Sequence, residues 1–136
     1  MSAGYSGTPL AKKLGIKSGM KLFAFQAPPH YHELLVNLPE ACLWLDSPLE
    51  AETDFVHAFF KEETELVERL ASLKVLLPKN GSLWLSWPKK ASKIKTDLNR
   101  ELIREYGLDI GLVDVKVCAV DENWSGLKFV YRLQDR

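Results

Sequence analysis

The sequence predicts an α/β fold, a three-layer sandwich built on a mostly parallel sheet that ends in an antiparallel hairpin. Apolar runs of strand length alternate with segments of helical periodicity along most of the chain, the pattern of βαβ units. The runs Leu22-Phe23-Ala24-Phe25 and Leu83-Trp84-Leu85 are continuously apolar, as strands covered on both faces are. The last two apolar runs are joined by the polar turn Asp121 to Gly126, which predicts a hairpin. At 136 residues the chain is expected to form a single domain over 1–136.

The elements follow in order. Thr8 can cap a short N-terminal helix, Pro9 suits its first position, Leu10 and Leu14 share a face, and Gly15 can close it. Lys21 to Gln26 reads as the first strand. Tyr31, Leu34, Leu35 and Leu38 then recur at helical spacing until Pro39 interrupts. Ala41 to Leu45 is the second strand, Ser47 to Thr53 a polar connection, and Asp54 to Phe60 the third strand. Leu66, Leu70, Leu73 and Leu77 form a helical stripe, and Glu62, Glu63 and Glu65 favour its N-terminal dipole. Pro78 to Gly81 turns the chain into a fourth strand, Ser82 to Trp87. A lysine-bearing loop leads to a helix from about Thr96 to Tyr106, with Gly107 placed to end it. Leu112 to Val120 and Leu127 to Leu133 are the hairpin strands, and the whole is Rossmann-like.

Composition narrows the function classes. Eighteen basic residues balance eighteen acidic ones, so no global field draws in nucleic acid, and a nucleic-acid partner is not expected. No stretch approaches the ~18 apolar residues of a membrane span. No basic segment followed by an apolar core opens the chain, so cytoplasmic residence is the expectation. Cys42 and Cys118 lie in apolar runs and read as reduced, buried thiols. His30 and His32 lack partners at metal-ligand spacing, so no metal is expected, and His57, inside a strand, reads as a hydrogen-bonded structural residue.

The order of elements, with Leu76-Leu77-Pro78-Lys79-Asn80-Gly81 leading into Ser82-Leu83-Trp84-Leu85, resembles a shortened class I methyltransferase fold lacking one middle helix and strand. The segments Gly4 to Gly15, Trp87 to Ser92 and Asp121 to Gly126 resemble an uncharacterised bacterial family of unknown function. In methyltransferase folds a glycine-rich turn after the first strand lets backbone approach the cofactor. Here Ala27-Pro28-Pro29-His30 occupies that turn, and the prolines have no N–H to donate. The resemblance implies that Asp46, ending the second strand, would hold the ribose of a bound cofactor.

Ligands of open α/β sheets bind beyond the carboxyl ends of the strands. That face should carry an anion site of Ser6, Thr8, Lys89, Lys90 and Ser92, with Trp87 and Trp124 as walls. Without the glycines, S-adenosylmethionine is not expected to bind. The chain reads as a non-enzymatic or degenerate methyltransferase-like domain, taking a small anionic ligand or a protein partner at this face. The alternatives are an active S-adenosylmethionine-dependent methyltransferase with an altered cofactor loop, using Asp46, and a nucleic-acid module using Lys89, Lys90 and Trp124.

Overall fold

The computed structural model describes residues 8–136, so Ser6 and the rest of the N-terminal segment lie outside the described residues. The elements are α1 (Leu10–Lys13), β1 (Lys21–Phe25), a 3-10 turn (Tyr31–Leu35), β2 (Leu43–Trp44), β3 (Phe55–Phe59), α2 (Glu63–Lys74), β4 (Ser82–Pro88), α3 (Arg100–Asp109), β5 (Leu112–Ala119), β6 (Trp124–Tyr131) and a final 3-10 turn (Leu133–Asp135). The six strands form one sheet in the order β2-β1-β3-β4-β6-β5. β2, β1, β3 and β4 are mutually parallel, whereas β6 is antiparallel to both β4 and β5.

Strand alternation divides the core between the two sheet faces. Val56 and Ala58 of β3 and Phe60 just after it, with Leu83, Leu85 and Trp87 of β4, pack against Leu66, Leu70 and Leu73 of α2 and Ile103 of α3. Phe55 and Phe59, with Trp84 between them and β6, pack against Ala11 and Leu14 of α1 and Tyr31 and Leu35 of the 3-10 turn. Trp84 donates its indole N–H to the Leu14 carbonyl at 2.9 Å, which fixes α1 over the sheet.

Several boundaries differ from the sequence expectation. Thr8 does not cap α1, because Pro9 occupies the N-cap, and the helix is a single turn. The helix expected from Tyr31 to Leu38 contracts to the 3-10 turn, confined between Pro28-Pro29 and Pro39, whose ring disfavours helical geometry at Leu38. β2 shortens to Leu43–Trp44, after a left-handed residue at Ala41 with φ 62°. α3 begins at Arg100, not Thr96. Asn99 caps it by accepting the Leu102 N–H at 2.9 Å, while the Thr96 hydroxyl donates to the Lys61 carbonyl and accepts from the Leu98 N–H. Cys42 and Cys118 are free and only half-buried. Among the described residues, no helix is long and apolar enough to cross a membrane.

Gly107 does not end α3. It sits inside the helix, buried, and Gly111 with φ 91° closes the chain into β5. A Cβ at Gly107 would overlap the Phe129 ring, with Cδ1 at 2.6 Å and two further ring carbons nearer still. Phe129 is fully buried and cannot swing aside. Gly107→Ala is therefore expected to destabilise the protein by about 1–3 kcal/mol in urea denaturation, although Ala favours a helix over Gly by about 1 kcal/mol. A stabilised variant would show that the α3–sheet spacing is not fixed by this contact.

Candidate functional site

The chain leaves β1 toward β2 on one side, while β3 lies on its other side. Strand order thus reverses direction at the β1–β3 boundary, where an open α/β sheet parts to receive ligands. A cleft of about 510 Å³ opens there, lined among others by Gln26, Pro28, Pro29, His30, Phe59, Lys61, Asn123 and Trp124. That volume lies in the range of small-molecule sites.

The turn after β1 forms this cleft's rim. Gln26 takes φ 57°, the left-handed conformation that glycine usually supplies, and its side-chain amide donates to Glu65 of α2 at 2.7 Å. Pro28 and Pro29 follow and bring His30 across the strand ends. His30 Nε2 lies 2.6 Å from Oδ2 of Asp121, in the β5–β6 turn. Asp121 is held rigidly, because its Oδ1 accepts the backbone N–H groups of Asn123 at 2.8 Å and Trp124 at 2.9 Å. Its side chain is 5% exposed and that of His30 is 42% exposed, so the carboxylate is shielded while the imidazole is reachable. An accessible imidazole oriented by a buried carboxylate is the arrangement of a general base.

A second histidine lies beneath the cleft. His57 of β3 is fully buried, with the Tyr31 hydroxyl 2.8 Å from Nδ1 and the Ser86 hydroxyl 2.7 Å from Nε2. Its ring stacks on Phe59 at 4.3 Å between centroids. Burial lowers its pKa to about 3 and pushes the Tyr31 phenol upward. The chain of hydroxyl, imidazole and hydroxyl satisfies every polar atom without water, and it joins the 3-10 turn to β3 and β4.

The residues singled out from sequence are distributed over several places. Thr8 lines a separate hollow of about 230 Å³ with Pro9, Leu34 and Val120. Lys89 and Lys90 line a wider depression of about 780 Å³ on the α3 side, with Trp87, Arg100 and Val117. The Ser92 hydroxyl is spent within its loop, donating to the Lys89 carbonyl and accepting from the Ile94 N–H. Trp87 and Trp124 belong to the cores of opposite sheet faces, so they do not wall one cavity together. Asp46 is exposed beyond the end of β2, next to β1 and outside the lining of the β1–β3 cleft. Sequence reasoning missed the His30–Asp121 pair. Both residues lie where strands end on the ligand face, but 91 residues separate them and neither belongs to a spaced motif.

No family model and no curated protein sequence matches the chain. Its fold is similar to solved methyltransferase structures. A protein assigned as a type 11 methyltransferase from Sulfolobus solfataricus superposes with a TM-score of 0.59 at 13% identity, over 90% of this chain and 89% of that one. A TehB-like S-adenosylmethionine-dependent methyltransferase from Corynebacterium glutamicum gives 0.56 at 11% identity, over 96% and 91%. The 1,6-didemethyltoxoflavin-N1-methyltransferase of Burkholderia thailandensis, solved with S-adenosylhomocysteine bound, gives 0.53 at 12% identity, over 88% and 73%. The fold is thus that of class I methyltransferases, in a mixed six-stranded form.

This likeness corrects two expectations drawn from sequence, that the domain is non-enzymatic or degenerate and that S-adenosylmethionine is not its cofactor. Both rested on the missing glycines. The left-handed turn that a glycine would make is made by Gln26 instead, so the loop geometry does not require one.

Proposed function

We propose that the protein is an S-adenosylmethionine-dependent methyltransferase with an altered cofactor loop. The observation that carries the reading is the cleft at the β1–β3 switch point of a methyltransferase fold, with an oriented imidazole on its rim. The residues present are compatible with the cofactor. Asp46 offers an exposed carboxylate at the end of β2 for ribose hydroxyls, and the turn keeps the N–H groups of Gln26, Ala27 and His30 although Pro28 and Pro29 supply none. When bound, the cofactor supplies an electrophilic methyl group.

The chain's own residues supply acid–base chemistry and enclosure. His30 takes the proton released by an acceptor O–H or N–H, and Asp121 stabilises the imidazolium that forms. Phe59 and Trp124, both buried and 5.2 Å apart between ring centroids, keep the cleft floor apolar. Titration calorimetry with S-adenosylhomocysteine tests the reading. Wild-type protein is expected to bind, and Asp46→Ala to lose about 1–3 kcal/mol of affinity through hydroxyl groups left unpaired. Equal affinity in both proteins would remove Asp46 from the site.

A further inference from the structure

Lys61, Glu62 and Glu65 line the β1–β3 cleft and carry charges that the protein itself does not pair. Lys61 and Glu62 join β3 to α2, and Glu65 lies in the first turn of α2. Among the described residues none of the three forms an ion pair, with one another or with any other group. Glu65 is half-buried and gives Oε2 to the Gln26 amide at 2.7 Å, which leaves Oε1 unspent. The backbone beneath these side chains is fastened. The Lys61 carbonyl accepts the Thr96 hydroxyl at 2.6 Å and the Asp97 N–H at 3.4 Å, and the Glu63 N–H donates to Asp97 Oδ1 at 2.8 Å. An anchored main chain with uncommitted charged ends is the construction of a binding site.

The mixture of signs defines the ligand. A simple anion drawn by Lys61 meets Glu62 and Glu65, and a simple cation drawn by the carboxylates meets Lys61. A group bearing an ammonium and a carboxylate on one carbon satisfies both. Apart from the His30–Asp121 pair, the ionisable lining is one ammonium and two carboxylates, a single net negative charge. S-adenosylmethionine ends in such a zwitterion, and its sulfonium gives the whole molecule a single net positive charge. Position agrees with charge. Asp46, assigned to the ribose, lies outside the lining of the cleft, and the methyl group has to reach the acceptor whose proton His30 takes at the cleft's rim. The end that enters the cleft is therefore the sulfonium and the amino-acid chain, not the adenine.

We propose that Lys61 and Glu65 hold the carboxylate and the ammonium of the cofactor's amino-acid end, with Gln26 positioning Glu65. The inference rests on the methyltransferase reading and supplies, from side chains, contacts that Pro28 and Pro29 cannot donate from backbone. The Gln26 amide is a neutral partner, so it orients the carboxylate and leaves its charge for the ligand. Gln26→Gly would keep the left-handed turn but release Glu65.

Titration calorimetry with two ligands tests the assignment. S-adenosylhomocysteine carries the zwitterionic end, and 5′-methylthioadenosine has the same adenosine and thioether without it. Wild type is expected to bind S-adenosylhomocysteine roughly a hundredfold more tightly. Lys61→Gln and Glu65→Gln should each weaken that binding roughly tenfold and leave 5′-methylthioadenosine unchanged, while Asp46→Ala weakens both ligands alike. Neither Lys61 nor Glu65 is buried, so the unfolding midpoints of the two variants without ligand should match wild type. Equal affinity of wild type for the two ligands, unchanged S-adenosylhomocysteine affinity in either variant, or equal weakening of both ligands would overturn the proposal and leave the cofactor reading in place. Absence of binding of both ligands to wild type would remove that reading, and the proposal with it.

Discussion

Acidification from about pH 6.5 to about pH 3 is expected to destabilise the protein by about 1.4 kcal/mol per pH unit through His57 alone. The sign follows from linkage. His57 is fully buried between two hydroxyl groups and stays neutral in the fold down to about pH 3, while in the unfolded chain it protonates near 6.5. Between those values the unfolded state binds more protons, so stability is fully present above 6.5 and is lost as pH falls. Urea denaturation of wild type and His57→Gln across this range reads the effect. The variant should be less stable at neutral pH, because Tyr31 and Ser86 lose a fitted partner, and its stability should fall less steeply with acid. Parallel pH profiles would show that His57 protonates in the fold at its ordinary value.

Asp121→Ala is the second substitution with a large expected effect. One carboxylate accepts the N–H groups of Asn123 and Trp124 and holds His30, and it does so nearly buried. Removing it leaves donors without acceptors in the turn that carries Trp124 into the core, at a cost of about 2–4 kcal/mol in unfolding free energy. Asp121→Asn keeps an oxygen acceptor for the turn and should recover most of that loss. If both variants match wild type, water reaches the turn and the His30–Asp121 pair is not the fixed element described.

How much of this was legible in the sequence depended on whether a feature is local. α2 was readable because its leucine stripe repeats within a few turns, and the antiparallel partnership of β5 and β6 because a short polar turn leaves few other pairings. Helix ends were harder. Thr96 and Gly107 both carry signals used at helix termini, yet Thr96 spends its hydroxyl on Lys61 and Leu98, and Gly107 is demanded by Phe129, a residue distant in sequence. The ligand-facing edge was foreseeable from topology, and Asp46 and the β1 turn lie on it. The weight given to glycine was misplaced, since Gln26 adopts the left-handed turn without it. The His30–Asp121 pair depends on loop approach, which no single segment encodes.

The measurement that bears most directly on the central claim is titration of the wild-type protein with S-adenosylhomocysteine, read by heat and by the thermal unfolding midpoint. The account predicts saturable binding and, at a hundredfold excess over the dissociation constant, stabilisation by about 2.7 kcal/mol, a rise of several degrees. No heat and no shift at millimolar ligand would contradict it, leaving a methyltransferase fold whose switch-point cleft takes something other than the cofactor.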